Sequence, residues 1–438
     1  MKTNARALLG LLLVVLASMF LSACKESYGC QVTFGASSCT PSGGGIGGGG
    51  GGTGGGGGGS GTTPTALAYN IEDTGFINGI AYSSTVPSLA NITGFVLPTV
   101  PAADPSSELV IAQKQFLYGI FPNSDLLYGW TIATTGDLTP MNGSPFTISA
   151  LGGMVPNGIG VNFSGIAVNP DGTLLFVADA AGDDILTFQI GVGGALTAGP
   201  VTPTVGGVLQ PWNLAIDGHG LYLYATQGPP GNGGQVAAYS INQGTGALTL
   251  VAPAFAFNIW QLQGDPTGQF MIGISGNSVG ITGIADNSIH VFSITQSGLT
   301  AGALTEVTNS PFTTQFSPIN LAVQPNISNG SFVYSFSVDA TGTPNPIEGY
   351  ALNTTAGASF GALTAITGAP ASPFSGVTAS PWGQFDQSGD NLFVYSNTGG
   401  ILPLIGVLNT TAGTGGLTES VATLPLATGG YFAVTDPQ

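Results

Sequence analysis

Aromatic and amide side chains recur at one repeated position of the sequence and could form a binding surface. Trp212 and Trp260 each precede a leucine by two residues, and Trp382 lies within one residue of the equivalent place. The next position carries an amide in three copies, Asn213, Gln261 and Asn320. Flat indole faces beside uncharged amides suit neutral sugars or peptides, through stacking and hydrogen bonding. The alternative is that the tryptophans only fill wedges between structural units.

Residues suited to nucleophilic or acid–base chemistry are few. His219 falls in a predicted turn and His290 in a predicted strand, and neither has a serine or cysteine at the spacing of a nucleophile motif. We expect His219 to be an exposed turn residue and His290 to pack on a sheet surface. Lys114, in the run QKQ, falls in a predicted hairpin turn, where we expect it to be solvated. We therefore predict no catalytic residue.

Two acidic segments offer the oxygen ligands that Ca²⁺ binds. Asp183-Asp184 and Asp286-Asn287 each end a loop before a predicted strand. Neither follows the EF-hand pattern, so we interpret both as solvated acidic loops and predict no cofactor, with Ca²⁺ as the alternative.

A repeated tetrapeptide marks the elements that must position these side chains. It reads GDLT at 136–139, GALT at 194–197, 246–249, 302–305 and 361–364, and GGLT at 415–418, at intervals of 52 to 59 residues. Before each marker the order is the same: a short strand, a turn, a second strand and a third strand. In 165–197 the turn is NPDG, whose Pro and Asp-Gly suit a tight hairpin. The marker then leads into a fourth strand, with its glycine at a tight bend and its leucine packed between neighbouring units.

The third strand alternates as a sheet requires. In ILTFQI (185–190) one face carries Ile185, Thr187 and Gln189, and the other carries Leu186, Phe188 and Ile190. Both faces hold apolar residues, so we expect each unit to be covered on both sides.

Seven such units fit residues 65–438. GIAYSS and NITGFVL form a degenerate first unit, and the terminal YFAV can add a strand that completes it. Four short antiparallel strands repeated seven times predict an all-β fold, a seven-bladed β-propeller closed into a ring. The predicted domains are a signal peptide at 1–23, an acylated cysteine with a flexible linker at 24–64, and the propeller at 65–438.

Several motifs resemble those of the YVTN-type, lactonase-like seven-bladed propellers. They are NPDG-x-LLFVAD at 169–179, D-x-I-L-x-F-x-I at 183–190, the GALT marker, and SPF at 144–146, 310–312 and 372–374. The resemblance covers residues 65–438 and implies the propeller fold. For the phosphogluconolactonase-type members it implies hydrolysis of sugar lactones, with histidine, carboxylate and arginine in the central channel. Arg6 is followed by no further arginine, so no catalytic residue is carried over, and the enzyme interpretation becomes the alternative.

The N-terminus predicts export. Lys2 and Arg6 precede an uncharged apolar run from Ala7 to Phe20, too short to span a bilayer, and Leu21-Ser22-Ala23-Cys24 resembles the lipobox of bacterial lipoproteins. The resemblance implies lipidation of Cys24, and the alternative is an ordinary signal peptide with an incidental cysteine. Lys25 follows Cys24, and we expect an outer-membrane or cell-surface location. Cys30 and Cys39 could form a disulfide in this oxidising setting, or remain free thiols.

The composition of the rest of the chain restricts the classes of partner that it can bind. The 19 residues at 43–61 include 16 glycines and predict a flexible tether. All 21 acidic residues follow Cys24, against Lys25 and Lys114, which gives a net charge of about −19. Such a chain lacks the basic footprint that nucleic acids require. We therefore predict a membrane-anchored, extracytoplasmic propeller that binds a neutral glycan, peptide or protein. The alternatives are a lactonase-like hydrolase and a structural envelope protein.

Overall fold

The propeller was described from a computed structural model. The described residues are 64–72, 75–100, 108–121, 126–148, 163–180, 182–205, 210–227, 235–255, 259–275, 287–326, 328, 330–337, 347–366, 382–396, 404–420, 424–425 and 432–437. The chain divides into residues 1–63 and 64–438. Cys24, Cys30, Cys39, the signal and the tether lie outside the described residues. Within them, no helix is long and apolar enough to cross a membrane.

The described residues form seven antiparallel sheets, which are the seven blades. The innermost strands are β4 (Glu108–Ala112), β9 (Phe163–Val168), β13 (Pro211–Ile216), β17 (Gln261–Gly264), β22 (Pro318–Val323), β26 (Trp382–Phe385) and β31 (Phe432–Thr435). The second strands are β1 (Ala66–Glu72), β5 (Phe116–Ile120), β10 (Leu174–Asp179), β14 (Tyr222–Gln227), β18 (Phe270–Ile274), β23 (Phe332–Ser337) and β27 (Asn391–Ser396).

The outer half of each blade follows the same order. The third strands are β2 (Phe76–Ser83), β6 (Leu126–Ile132), β11 (Asp184–Ile190), β15 (Gln235–Ile241), β19 (Ser288–Ile294), β24 (Glu348–Leu352) and β28 (Leu404–Thr410). The outer strands are β3 (Ser88–Asn91), β7 (Leu138–Pro140), β12 (Leu196–Pro203), β16 (Leu248–Phe255), β20 (Leu304–Glu306), β25 (Leu363–Ala365) and β29 (Leu417–Glu419). Blade 1 contains β31, β1, β2 and β3, and blades 2 to 7 follow in chain order.

The C-terminal strand closes the ring. β31 pairs antiparallel with β1, so the last strand of the chain is the innermost strand of the first blade. Consecutive innermost strands contact each other around the whole circle, and β31 contacts both β26 and β4. The predicted seven-bladed propeller and its completing strand are confirmed. GIAYSS begins in the third strand of blade 1, whose second strand is ALAYNIE.

Seven apolar clusters hold the blades together, one at each junction. The predicted alternation in β11 is confirmed at two of them. Leu186 and Phe188 pack toward blade 2, whereas Ile185 packs toward blade 4. On that second face, Thr187 and Gln189 donate hydrogen bonds to carbonyl oxygens of blade 4. A blade is thus covered on both faces only inside the ring.

The marker tetrapeptide has the predicted role at all six sites. Its leucine joins the cluster between its own blade and the preceding one; these are Leu138, Leu196, Leu248, Leu304, Leu363 and Leu417. Its glycine has a positive φ between 67° and 92°, at Gly136, Gly194, Gly246, Gly302, Gly361 and Gly415. L-residues with a side chain rarely adopt that backbone conformation, which explains why the glycine recurs.

Buried tyrosines lock four of these glycines to the preceding blade. The hydroxyl groups of Tyr69, Tyr118, Tyr224 and Tyr334 donate to the carbonyl oxygens of Gly136, Gly194, Gly302 and Gly415, at 2.7 to 2.9 Å. Each tyrosine lies on the second strand of one blade and each glycine on the next blade. Burial raises the pKa of all four phenols.

Alkaline pH is expected to destabilise the propeller through these tyrosines. Unfolded tyrosines ionise near pH 10, whereas the folded phenols keep their protons to higher pH. Unfolding therefore releases protons above about pH 10, and the free energy of unfolding falls as pH rises, by up to about 1.4 kcal/mol per pH unit for each tyrosine. The stabilisation is fully present below about pH 10. Thermal unfolding between about pH 8 and 11 measures the decline.

A Tyr118→Phe variant tests the same contribution. At pH 8 it is expected to lose about 1 kcal/mol, since one buried hydrogen bond to Gly194 is removed. Its melting temperature is also expected to fall less steeply above pH 10, because one titrating group is gone. A decline identical to that of the wild type would show that Tyr118 does not contribute.

The SPF motifs anchor an additional strand at the edge of their blades. The Oγ atoms of Ser144 and Ser310 accept the backbone N–H groups of Gly129 and Val291, at 2.9 and 3.0 Å. β8 (Phe146–Thr147) and β21 (Phe312–Thr313) then pair with the third strands, and β30 (Leu424–Pro425) does so in blade 7. The third SPF copy, at 372–374, lies outside the described residues.

Candidate functional site

One end of the propeller, here called the mouth, is where the innermost strands begin. Three of these strands start with an extra residue opposite the second strand: residue 164, Trp212 and Ile319. Such bulges redirect a side chain away from the regular alternation of a strand. Trp212 therefore owes its orientation to a local irregularity that follows Pro211.

Two tryptophans from adjacent blades lie together at the mouth. The rings of Trp212 in blade 4 and Trp260 in blade 5 have centroids 6.2 Å apart and planes inclined by 31°. Trp260 is 38% exposed. Among the side chains that the structure describes, it is the only exposed tryptophan, tyrosine or phenylalanine. The Nε1 atom of Trp212 is buried and has no hydrogen-bond partner in the described residues. The pair thus offers an accessible indole face next to a partly covered one.

The predicted amides join neighbouring innermost strands. The side-chain oxygen of Asn213 accepts the N–H of Leu262 at 3.0 Å, and that of Gln261 accepts the N–H of Leu321 at 2.9 Å. Asn320 accepts the N–H of Gly383 in the same way, at 3.3 Å. These oxygens therefore join blades 4 to 7 at the mouth, through the strands that begin beside the two tryptophans.

Glu108 also joins two neighbouring innermost strands, although the comparison of the repeats in sequence did not identify it. Glu108 occupies the position of Asn213 in blade 2, and its Oε2 accepts the N–H of Ile166 in blade 3 at 3.1 Å. Burial raises its pKa to about 7, against the lowering effect of that hydrogen bond. The signal was the repeat register, which is hard to read in blade 2 because glutamate replaces an amide there.

Trp382 lies apart from this arrangement. It packs against the cluster between blades 7 and 1, which contains Tyr395 and Val434. Blade 7 is three blades further round the ring than blade 4. Trp382 thus packs in the wedge between two blades, whereas Trp260 is exposed to solvent.

Neither histidine lies at the innermost strands. His219 belongs to the turn after β13, at the opposite end of that strand from Trp212. His290, on the third strand of blade 5, is 8% exposed, and its Nδ1 lies 2.8 Å from Glu306 Oε1. That carboxylate also accepts the Ser310 hydroxyl at 2.8 Å, while Ser310 Oγ accepts the N–H of Val291. Since the serine donates to the glutamate, the arrangement is not that of a nucleophile activated by histidine.

The charged groups include two departures from the predictions. Lys114 is not simply solvated, because its Nζ forms an ion pair with Asp436 Oδ2 at 2.8 Å, joining blade 2 to the end of β31. The loop before β11 is not simply solvated either, since Asp184 is only 5% exposed. Asp286 lies outside the described residues. Within the described residues, no group of three or more His, Cys, Asp or Glu side chains could hold a metal ion.

Two recesses lie away from the tryptophan pair. One, of about 270 Å³, is lined by residues such as Thr173, Gln189 and Gln243 at the opposite end of blades 3 and 4. The other, of about 730 Å³, lies between blades 1 and 7 and is lined by Asp390, Asn391 and Asp436, among others. Both are open to solvent.

The seven sheets and their closing strand define a seven-bladed β-propeller. The family described as "Lactonase, 7-bladed beta-propeller" matches residues 127–258, which confirms the resemblance seen in the repeats. A search of curated proteins found no significant match.

Solved structures agree at the level of the fold. A Bacteroides fragilis protein provisionally assigned as a 6-phosphogluconolactonase superposes with a TM-score of 0.59 at 16% identity, over 85% of this chain and 98% of that one. A Bacteroides uniformis protein with the same provisional assignment gives 0.59 at 13% identity, over 85% and 100%. The periplasmic gluconolactonase of Pseudomonas aeruginosa gives 0.55 at 12% identity, over 85% and 99%.

Proposed function

We propose that this propeller is a binding module that recognises an uncharged glycan at its mouth, through the Trp212–Trp260 pair. The observation that carries the proposal is the pairing of two indoles from adjacent blades, with centroids 6.2 Å apart and Trp260 38% exposed. Exposed aromatic surface is costly to leave in water, and flat indole faces suit the apolar faces of sugar rings.

Rigidity of the pair supports the same proposal. The Asn213 and Gln261 oxygens bond backbone N–H groups of the next blade, so the strands that carry both tryptophans are fixed before any ligand arrives. A preformed surface loses less conformational entropy on binding than a mobile one.

Charge restricts the ligand. The chain carries 21 acidic residues and four Lys or Arg, and Lys114 is paired with Asp436 in the turn at the far end of β4. A phosphate or carboxylate at the mouth would meet a negative field without a described base to compensate it. Uncharged ligands avoid this repulsion.

Alanine substitution of the pair tests the proposal. We expect Trp260→Ala and Trp212→Ala each to weaken binding to a neutral oligosaccharide by about tenfold or more, since each removes stacking worth about 1.4 kcal/mol. An array of neutral oligosaccharides first identifies a bound member, and titration calorimetry then measures its affinity for each variant. Trp260→Tyr is expected to restore part of the binding.

Leu299→Ala is the matched control for this experiment. Leu299 is fully exposed on blade 5, in the turn between the third and outer strands, and is expected to be silent. Wild-type protein that binds no neutral oligosaccharide, or binding that survives both tryptophan substitutions, would contradict the proposal.

Hydrolysis of a sugar lactone is the second candidate, and the family match over residues 127–258 favours it. The charge argument then points to an uncharged lactone rather than a phosphorylated one. Turnover of a panel of both kinds by the wild-type protein would support this candidate, whereas binding without turnover would support the first.

We also propose that the module is held at the cell envelope. Support comes from the sequence: the lipobox-like Leu21-Ser22-Ala23-Cys24 and the glycine-rich stretch at 43–61. A lipid on Cys24 and a flexible tether would let the mouth sample ligands away from the membrane surface.

A further inference from the structure

One repeated position joins neighbouring innermost strands at the mouth, and each such contact is here called a joint. In blades 4, 5 and 6 the position holds a neutral amide, whose oxygen accepts a backbone N–H of the next innermost strand: Asn213, Gln261 and Asn320. In blade 2 it holds Glu108, whose Oε2 accepts the N–H of Ile166 at 3.1 Å. An amide keeps one charge state at every pH, whereas a carboxyl group exchanges a proton with solvent. The joint between blades 2 and 3 is therefore ionisable.

The surroundings of Glu108 disfavour its charged form. Its register partner Ile120 and its hydrogen-bond partner Ile166 both belong to the apolar cluster between blades 2 and 3. Burial raises the pKa of Glu108 to about 7, against the lowering effect of the hydrogen bond from Ile166. Loss of the proton near neutral pH therefore places a charge at an apolar junction, where solvation of that charge is poor.

The described strands that pack against β4 supply no cation to compensate that charge. β9 and β31 both contact β4 and carry no ionisable side chain. β5 carries Tyr118, which is neutral in this pH range because burial raises its pKa. Lys114 and Asp436 lie at the opposite end of β4, where they pair with each other. Asp104 and Asp125 lie outside the described residues.

The next junction leaves β9 little freedom to move away from the charge. Gly165 precedes Ile166, and a Cβ atom placed on it would lie 2.9 Å from the carbonyl oxygen of Trp212 and 3.3 Å from the backbone nitrogen of Leu214. The backbones of β9 and β13 are therefore already in close contact, so β9 has no room to shift toward blade 4. The charge has to be accommodated between β4 and β9.

We propose that Glu108 makes the junction between blades 2 and 3 a proton-dependent joint of the mouth. With its proton, the carboxyl group accepts the N–H of Ile166 as the neutral amides of the other joints accept theirs. Without the proton, the oxygen is a stronger acceptor, but it brings an uncompensated charge to an apolar junction, and the cost of desolvation exceeds the gain. The two innermost strands then separate more easily, so this side of the mouth loosens as the pH rises.

Proton linkage gives the direction of the effect on stability. The pKa of Glu108 is about 7 in the folded chain against an ordinary value of 4.5, so the unfolded chain binds fewer protons between these two values. The contribution of Glu108 to stability is fully present below about pH 4.5 and is lost as the pH rises through about 7. The wild type is therefore expected to lose stability over this range.

A Glu108→Gln variant tests the proposal, because it places at this joint the neutral amide that blade 5 carries. Melting temperatures of the full chain are compared for the variant and the wild type between about pH 5 and 8.5. The variant is expected to gain about 3–5 °C on the wild type over this range, since only the wild type has to ionise the joint. Glu419→Gln is the matched control: it makes the same chemical change at an exposed side chain of blade 7, and its difference from the wild type is expected to stay constant.

Each outcome either supports or overturns the proposal. A difference between the wild type and Glu108→Gln that does not change with pH would overturn it. An equal gain in Glu419→Gln would overturn it as well, since the net negative charge of the chain would then be the cause. If Glu108→Gln does not fold, hydrogen exchange of the wild type decides. Protection of the Ile166 amide, relative to that of Leu262 at the neutral Asn213 joint, is expected to fall between about pH 5 and 8.5, and a constant ratio would contradict the proposal.

Discussion

Val434→Asp is expected to be the most damaging single substitution in the propeller, with a loss of about 4 kcal/mol or more in the free energy of unfolding. Val434 lies on β31 and is 4% exposed within the cluster between blades 7 and 1. The substitution removes a buried apolar side chain and places a charge without a partner at the seam where the ring closes. Blades 1 and 7 then lose their common packing. Chemical denaturation followed by tryptophan fluorescence measures the loss.

Val192→Asp is the matched control for the closing seam. It makes the same chemical change at a fully exposed side chain of blade 3, and is expected to change stability by no more than about 0.5 kcal/mol. Comparable losses in the two variants would mean that the added negative charge, and not the seam, causes the effect. A stable Val434→Asp protein would contradict closure of the ring by β31.

Gly246→Ala is expected to cost about 3 kcal/mol, the second largest effect. Gly246 is the marker glycine of blade 4, with φ at 73°. An added Cβ would lie 2.3 Å from Cγ2 of Thr187, which is 1% exposed and belongs to the facing strand of blade 3. The cost therefore has two parts, backbone strain at positive φ and a collision with a stiff β-branched side chain.

Gly413→Ala separates those two parts. Gly413 has φ at 75° in a turn of blade 7, and no heavy atom lies within 4 Å of the place where its Cβ would be. We expect a loss of about 1 kcal/mol there, from backbone strain alone. The difference in unfolding free energy between the two variants is the cost of close approach between blades. It is measured from the midpoints of denaturation curves that have equal slopes. Equal losses would show that the marker glycine is needed only for its backbone conformation.

The proposed glycan site depends on two indoles of blades 4 and 5. It fits the general behaviour of propellers, in which one scaffold supports unrelated functions through the side chains that it brings to its ends.

The sequence by itself determined the repeating parts of this protein. Turn chemistry, two-residue alternation and the marker tetrapeptide are local properties, so they predicted the strands, the ring of seven and the tight bend at the marker glycines. The faces of β11 followed in the same way, because Leu186 and Ile185 must point to opposite sides of a strand.

Only the tertiary structure decided which distant residues meet. Asn213 and Leu262 are 49 positions apart, and their hydrogen bond exists because two blades are adjacent in the ring. Asp184 looked solvated because a loop precedes it, yet its register opposite Asp179 buries it. Burial and pairing depend on what the neighbouring strand and blade cover, and local patterns do not contain that information.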